Sequence, residues 1–98
     1  MLSVVIPSYN EEDNIPAAAK EIIAVLEKEN IDCELIFVDD GSRDGSCDKI
    51  ITLNRLDKRI RGVRFSRNFG KEGAILAGLE AARGEAAVVM DCDLQHPP

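Results

Sequence analysis

Four short runs of β-branched and other apolar residues constrain the fold of this chain more than any other feature of its sequence. Some of them contain near-continuous apolar runs such as Val4-Val5-Ile6 and Val88-Val89-Met90. Such triplets are typical of strands buried on both faces, as in a parallel sheet. The sequence therefore predicts four strands, at Leu2–Ile6, Glu34–Val38, Gly62–Phe65 and Ala86–Met90.

The stretches between these runs have the spacing of amphipathic helices. In the first stretch, apolar residues recur at intervals of four, three and four, at Ile15, Ala19, Ile22 and Leu26. We expect Asn14 to cap this helix, with Pro16 tolerated in its first turn.

The second helix is predicted to begin near Asp44 or Ser46, since either side chain can cap a helix. The third is predicted to run from about Gly70 to Arg83, with Gly84 ending it. The residues expected to face the core are Ile50, Leu53 and Leu56 in the second helix and Ile75, Leu79 and Ala82 in the third.

The resulting order β-α-β-α-β-α-β predicts an α/β fold with an open parallel sheet and helices on both faces, because crossovers between parallel strands are right-handed. In the nucleotide-binding variety of this fold, the strand order is 3-2-1-4. The winding direction reverses between strands one and four, and ligands bind in the crevice that opens there. The loops at that crevice are Pro7–Asp13 and Asp91–Pro98.

Composition excludes several classes of protein. The formal net charge of −6 over 98 residues disfavours nucleic acid as a partner. The three cysteines, Cys33, Cys47 and Cys92, show no CxxC spacing, which indicates neither a disulfide framework nor a zinc site. Because there is neither a membrane-length apolar run nor a signal-peptide pattern, the chain as given is predicted to be cytoplasmic.

The motif Asp91-Cys92-Asp93 follows the fourth predicted strand. Two carboxylates separated by one residue of extended chain point to one side, ~6.6 Å apart at the backbone. They can share a hard cation such as Mg²⁺ or Mn²⁺, which keeps positions open for substrate phosphate oxygens. Gln95 adds a neutral oxygen on the same side. The alternative is that these are solvated turn residues.

A second polar motif, Val38-Asp39-Asp40-Gly41-Ser42, ends the second predicted strand. We interpret Asp39 as an acceptor for a base imide or a ribose hydroxyl, and Asp40 and Ser42 as residues of an Asx turn. The segment also mimics a calcium-binding loop, but Ile51 stands where that loop requires glutamate, so calcium binding is rejected.

The loop after strand one contains no glycine, which excludes a dinucleotide fingerprint. Tyr9 can stack on a base, and Pro7 and Glu11 can shape a pocket around base and ribose, whereas Asn10 and Glu12 are interpreted as ordinary polar loop residues. The remaining candidates are interpreted as solvated or structural: Arg64, Arg67, His96 and the three cysteines. Lys71 is the exception, as a candidate phosphate-binding residue at the start of the third helix.

Four motifs in this order resemble the family 2 glycosyltransferases of GT-A fold, and among them the polyprenyl-phosphate glycosyltransferases. The motifs are Val5-Ile6-Pro7-Ser8-Tyr9-Asn10-Glu11, Val38-Asp39-Asp40-Gly41-Ser42, Ser66-Arg67-Asn68-Phe69-Gly70-Lys71 and Asp91-Cys92-Asp93-Leu94-Gln95-His96-Pro97-Pro98.

The resemblance implies a role for each of nine residues. Nucleotide-sugar-binding residues would be Pro7, Tyr9, Glu11, Val38, Asp39, Asp91, Cys92, Asp93 and Gln95. Asp93, Gln95 and Asp91 would ligate Mg²⁺ or Mn²⁺, and Asp93 would be the catalytic residue. One departure is Cys92, where the family more often has alanine or another small residue.

The resemblance also implies a function: inverting, metal-dependent transfer of a sugar from a UDP- or GDP-linked donor to a polyprenyl phosphate, at the cytoplasmic face of the membrane in the full-length enzyme. Residues 1–98 would be the nucleotide-sugar-binding part, truncated after Pro98 and inactive or incomplete alone. We also expect this chain to self-associate through the exposed edge of strand four. The alternatives are a non-catalytic nucleotide-binding fragment and a sugar nucleotidyltransferase.

Overall fold

In a computed structural model, which describes residues 1–93, strands and helices alternate along this part of the chain. The strands are β1 (Leu2–Ser8), β2 (Cys33–Asp39), β3 (Ile60–Arg64) and β4 (Ala86–Val89). The helices are α1 (Ile15–Lys28), α2 (Ser46–Leu56) and α3 (Lys71–Ala81). Within this part of the chain, none of the helices has the length and apolar character that crossing a bilayer requires.

The four strands form one parallel sheet in the order β3-β2-β1-β4, which confirms the predicted topology. In its register, Val4 of β1 lies between Leu35 of β2 and Val88 of β4. The carboxyl ends of β1 and β4 are therefore neighbours, and the loops that follow them meet at one edge of the sheet.

Each face of the sheet has its own core. On one face, α1 and α2 cover alternate residues of β1 and β2, including Ile6 and Phe37. On the other face, α3 covers the residues between them, Val5, Ile36 and Val38. Side chains of successive strand residues point to opposite faces, so both faces of the two central strands are buried, as the triplet Val4-Val5-Ile6 predicts for β1.

The face of α3 that packs on the sheet differs from the predicted one. Ala74 and Gly78 are buried, whereas Leu79 is 43% exposed. A Cβ atom added to Gly78 would lie 3.2 Å from Val38 Cγ2 and closer still to Val5. The helix can approach the sheet this closely only because position 78 has no side chain. This close approach, and not the spacing of the large apolar residues, determines which face of α3 is buried.

Two expectations about helix ends are wrong. The side chain of Asn14 makes no capping hydrogen bond with α1, because Asn14 already has helical dihedral angles and its amide bonds to Glu11 instead. Leu56 is 80% exposed at the last residue of α2. By contrast, Asp44 does help to begin α2, since its Oδ1 accepts hydrogen bonds from both the backbone amide and the hydroxyl of Ser46.

The third strand begins two residues earlier than predicted and ends one residue earlier. Ile60, its first residue, is buried, and its carbonyl accepts a hydrogen bond of 2.7 Å from Asn54 Nδ2. Because Arg61 interrupts the apolar residues at the start of this strand, apolar runs alone do not indicate that the strand begins at Ile60. The guanidinium of Arg61 donates to Glu34 of the neighbouring strand β2 and to the carbonyl of Ala81 at the end of α3.

The fourth strand is exposed along its length, in contrast to the predicted burial on both faces. Its described neighbour in the sheet is β1, and a free strand edge is a template for pairing with another chain. We therefore expect the 98-residue chain to self-associate in light scattering as concentration rises. Val88→Lys should reduce this association, whereas Ile51→Lys, on the similarly exposed surface of α2, should not. A monomer for the wild-type chain at millimolar concentration would contradict this expectation.

Candidate functional site

A cleft of about 530 Å³ opens where the carboxyl ends of β1 and β4 separate. Its walls come from four segments: the end of β1 and the loop after it, the end of β2, the start of α3, and the chain that follows β4. The lining residues are Pro7, Ser8, Tyr9, Glu11, Asp40, Asn68, Gly70, Lys71, Asp91, Cys92 and Asp93. Six of the nine residues assigned to nucleotide-sugar binding lie in this one cleft.

The loop after β1 is fastened to the loop after β2 through Asn10. This residue has a φ of +52°, in the left-handed region that asparagine tolerates better than most residues. Its backbone amide donates to Ser42 Oγ at 2.9 Å, and its side-chain oxygen accepts from the amide of Arg43 at 2.9 Å. Asn10 and Ser42 are thus positioning residues, whereas the sequence suggests an ordinary polar loop residue at position 10 and an Asx-turn residue at position 42.

Two more hydrogen bonds continue this fastening toward α2. The amide of Glu11 donates to Ser46 Oγ at 2.8 Å, and the amide of Glu12 donates to Asp44 Oδ2 at 3.3 Å. Hydroxyl and carboxylate groups of the second loop therefore satisfy three consecutive amides of the first. These hydrogen bonds constrain the backbone that carries Tyr9 and Glu11.

Asp40 holds the third wall of the cleft in place. Its carboxylate, 4% exposed, accepts hydrogen bonds from the amides of Phe69 at 2.7 Å and Gly70 at 3.0 Å, and from Asn68 Nδ2 at 3.2 Å. The expectation of an Asx turn at Asp40 is therefore wrong. This carboxylate ties the end of β2 to the loop that leads into α3, and it fixes the backbone just before Lys71.

Asp39, rather than Asp40, accepts a hydrogen bond from the turn after β2, and the donor lies three residues on, not two as in an Asx turn. Its Oδ1 accepts from the amide of Ser42 at 2.9 Å, while its Oδ2 is buried and finds no hydrogen-bond partner among residues 1–93. A buried carboxylate oxygen without a partner is costly, and a ligand donor would satisfy it. Asp39 lines a second cleft, of about 490 Å³, between α2 and β3, so the structure does not bring it into the cleft of Asp91 and Asp93.

Val38, which the resemblance assigns to the nucleotide pocket, is fully buried. Its side chain belongs to the core beneath α3, where no ligand reaches. A contact between Val38 and a nucleotide would therefore have to be made by its backbone.

Asp91 and Asp93 lie exposed at the mouth of the cleft. Lys71 Nζ is 2.9 Å from Asp91 Oδ1. The hydrogen bond to Asp91 and the negative charges of both aspartates raise the pKa of Lys71 above its ordinary value. The lysine is therefore fully protonated at neutral pH, and the cleft carries a cationic group beside two anionic ones.

Cys92 lies between these aspartates but points into the protein and is 4% exposed. Burial raises the pKa of its thiol to about 11, against a smaller lowering by a hydrogen bond with Ser8. At neutral pH the thiol is therefore uncharged, which makes it a poor nucleophile and a poor metal ligand. Its contribution is to fill the floor of the cleft.

The oxygen donors of the cleft suit a hard divalent cation. Two exposed carboxylates separated by one residue can hold Mg²⁺ or Mn²⁺ when phosphate and water oxygens complete the coordination. Within residues 1–93, no group of three or more histidine, cysteine, aspartate and glutamate side chains is arranged to hold a metal. Gln95, assigned as a ligand by resemblance, lies outside the described residues. A divalent cation in this cleft would therefore be coordinated by Asp91 and Asp93 together with oxygen atoms of a bound ligand.

Sequence comparison decides the family. The profile of Glycosyl transferase family 2 matches residues 3–98. The chain belongs to this family. An uncharacterized glycosyltransferase, sll0501, of Synechocystis is 44% identical to it over 97 residues, 99% of this chain and 30% of the relative. The undecaprenyl-phosphate 4-deoxy-4-formamido-L-arabinose transferase of Aeromonas hydrophila is 40% identical over 99 residues, 100% of this chain and 30% of the relative.

Structure comparison agrees with the GT-A fold. The mannosyltransferase PcManGT from Pyrobaculum calidifontis, solved in complex with GDP-Man and Mn²⁺, superposes with a TM-score of 0.79 at 26% sequence identity. The match covers 94% of this chain and 27% of that one. The family 2 chain described here thus spans about 30% of the length of the curated relatives that it matches.

Proposed function

We propose that this chain forms the donor-binding part of an enzyme that transfers a sugar from a nucleoside-diphosphate sugar to a polyprenyl phosphate. The observation that carries the proposal is the cleft at the ends of β1 and β4, where Asp91, Asp93 and Lys71 stand together beside Tyr9 and Glu11. This is the position at which parallel α/β sheets bind ligands. Membership of family 2 supports the reaction class.

The donor is proposed to be UDP- or GDP-linked and to bind with Mg²⁺ or Mn²⁺. Tyr9, which is 45% exposed at the cleft, offers a ring face for the nucleoside, and Glu11 offers an acceptor for ribose hydroxyls. Asp91 and Asp93 would hold the cation. The mannosyltransferase from Pyrobaculum calidifontis, whose complex contains GDP-Man and Mn²⁺, supports this donor class.

The proposed reaction is a direct displacement that inverts the anomeric centre. An oxygen of the acceptor phosphate forms a bond to the anomeric carbon as the bond to the donor diphosphate breaks, and the electron pair leaves with the nucleoside diphosphate. When bound, the cation acts as a Lewis acid that stabilises the leaving diphosphate. The ammonium group of Lys71 adds a second positive charge on the same side of the cleft.

The acceptor and its location are proposed from the relative in Aeromonas hydrophila, whose name specifies undecaprenyl phosphate. A lipid-linked phosphate is already anionic, so it needs little help from a general base. The full-length enzyme would then work at the cytoplasmic face of a membrane. The 98-residue chain is proposed to bind the donor but not to complete the transfer.

A sugar nucleotidyltransferase is a second candidate of the same architecture. It would need a glycine-rich basic loop after β1, and residues 7–13 contain neither glycine nor a basic residue. The backbone amides of Asn10 and Glu11 already donate to Ser42 and Ser46, so they do not offer a phosphate the free amides that such a glycine-rich loop provides.

Calorimetric titration of the chain with UDP and GDP, with and without Mn²⁺, tests the proposal. We expect binding of one of them to depend on Mn²⁺ and to weaken by about tenfold or more in Asp93→Asn, because one anionic metal ligand is lost. Asp48→Asn removes an exposed carboxylate of α2 and should leave binding unchanged. Equal affinity in the Asp93→Asn variant and the wild-type chain would refute the metal assignment.

A further inference from the structure

Lys71 forms an ion pair with Asp91, the carboxylate that a divalent cation in the cleft would need. Its Nζ lies 2.9 Å from Asp91 Oδ1, and Asp93 adds a second attraction. The side chains of Lys71 and Asp91 are 64% and 67% exposed. Exposed ion pairs are weak and exchange their partners readily, so this contact can be broken when a stronger cation arrives.

The backbone of Lys71, by contrast, is firmly placed. Lys71 is the first residue of α3, and the two amides before it both donate to the buried carboxylate of Asp40. A long, flexible side chain thus extends from a fixed point on the wall of the cleft. Its ammonium group can reach Asp91 or swing toward a ligand between the walls without any change in the fold.

Resting on the donor site proposed above, we propose that Lys71 alternates between two anions: Asp91 when no divalent cation is bound, and the donor diphosphate when the cation takes Asp91. Two cations on one carboxylate oxygen repel each other, so cation binding releases the ammonium group. The diphosphate then receives this group at the amino end of α3, where backbone amides also favour an anion.

This exchange couples the two ligands. The cation must displace Lys71 from Asp91 when it binds alone, whereas a bound diphosphate provides Lys71 with another anion and removes that competition. Each ligand therefore strengthens the binding of the other, by the same factor in both directions. The chain would hold a free divalent cation weakly and a cation together with a nucleoside diphosphate much more tightly.

Replacing Lys71 with glutamine tests the exchange, with Mn²⁺ alone as the first probe. Electron paramagnetic resonance of free Mn²⁺ should show binding to Lys71→Gln about 2- to 5-fold tighter than to the wild-type chain, since a competing exposed ion pair is gone. Calorimetry at saturating Mn²⁺ should show UDP or GDP binding several-fold weaker, since a charge-assisted contact is lost. Lys20→Gln, on the exposed surface of α1, should change neither affinity.

A third variant, Lys71→Arg, retains the positive charge and should retain the wild-type pattern of weak Mn²⁺ binding alone and tight binding with nucleotide. Unchanged Mn²⁺ affinity in Lys71→Gln, with Mn²⁺ binding lost in Asp93→Asn, would overturn the exchange and leave the donor site intact. Weaker Mn²⁺ binding in Lys71→Gln would also overturn it, because the lysine would then only support the local structure. Absence of Mn²⁺ binding to the wild-type chain, even with nucleotide, would overturn the donor site as well.

Discussion

Replacing Glu34 with alanine should lower the free energy of unfolding by about 3–5 kcal/mol. The substitution removes a buried carboxylate and leaves the hydrogen-bond donors around it without an acceptor. The Glu34 carboxylate is 4% exposed and accepts from Ser3 Oγ at 2.6 Å, Arg61 Nη1 at 2.7 Å and the amide of Arg83 at 2.6 Å. It thereby joins three strands to the loop after α3. Urea denaturation at pH 7 measures the loss.

The same carboxylate should also make the free energy of unfolding depend on pH. Burial alone would raise the pKa of Glu34, but hydrogen bonds from Ser3, Arg83 and Arg61 outweigh it and hold the pKa below the ordinary 4.5. A lowered folded-state pKa stabilises the fold fully above pH 4.5, and this contribution disappears as pH falls through the lowered value. The stability difference between the wild-type chain and Glu34→Gln should therefore shrink on acidification below pH 4.5.

The matched control for Glu34 is Glu80→Ala, which removes an exposed glutamate of α3. Its effect at pH 7 should stay within about 0.5 kcal/mol. A loss below 1 kcal/mol in Glu34→Ala, or a difference from Glu34→Gln that is constant from pH 7 to pH 3, would contradict the structural role of the cluster.

Gly41→Ala should destabilise the chain by about 2–5 kcal/mol and weaken nucleotide binding as well. Gly41 has a φ of +74°, and a Cβ atom there would lie 2.5 Å from the backbone nitrogen of Asn68 and closer still to the carbonyl carbon of Arg67. Backbone atoms cannot rotate away as a side chain can. The loop before α3 must therefore move, and with it the backbone that carries Lys71.

Gly73→Ala is the control for a glycine that the fold does not require. Its added Cβ would meet Phe69 Cβ at an ordinary 3.6 Å, within a helix in which alanine is favoured over glycine by about 0.5–1 kcal/mol. This variant should be as stable as the wild-type chain or more so, and it should bind nucleotide equally well. Similar losses in the two variants would contradict the role assigned to the backbone at position 41.

The sheet was predictable because its sequence signals are local and agree with each other. The triplet Val4-Val5-Ile6 can be buried on both faces only in a central strand, and the helical stretches fix the crossovers. The cleft followed from the strand order alone. Asp91 and Asp93 were then expected at its mouth, which is where the structure places them.

The missed features depend on close approaches between segments distant in the sequence. Gly78 decides which face of α3 is buried because of its distance from Val5, which no helical periodicity reveals. The loop contacts of Asn10 and Asp40 depend on partners about 30 residues away. Asparagine in a polar loop is a recognised candidate for the left-handed conformation, and that signal could have identified position 10.

The central claim is that Asp91 and Asp93 hold a divalent cation together with a nucleoside diphosphate. Paramagnetic broadening of backbone amide signals by Mn²⁺ in the presence of UDP or GDP, with Mg²⁺ as the diamagnetic reference, tests it most directly. We predict strong broadening at Asp93, Lys71 and Tyr9 and none at the far end of the sheet near Asp32. Broadening that is absent from the cleft, or that persists there in Asp93→Asn, would contradict the claim.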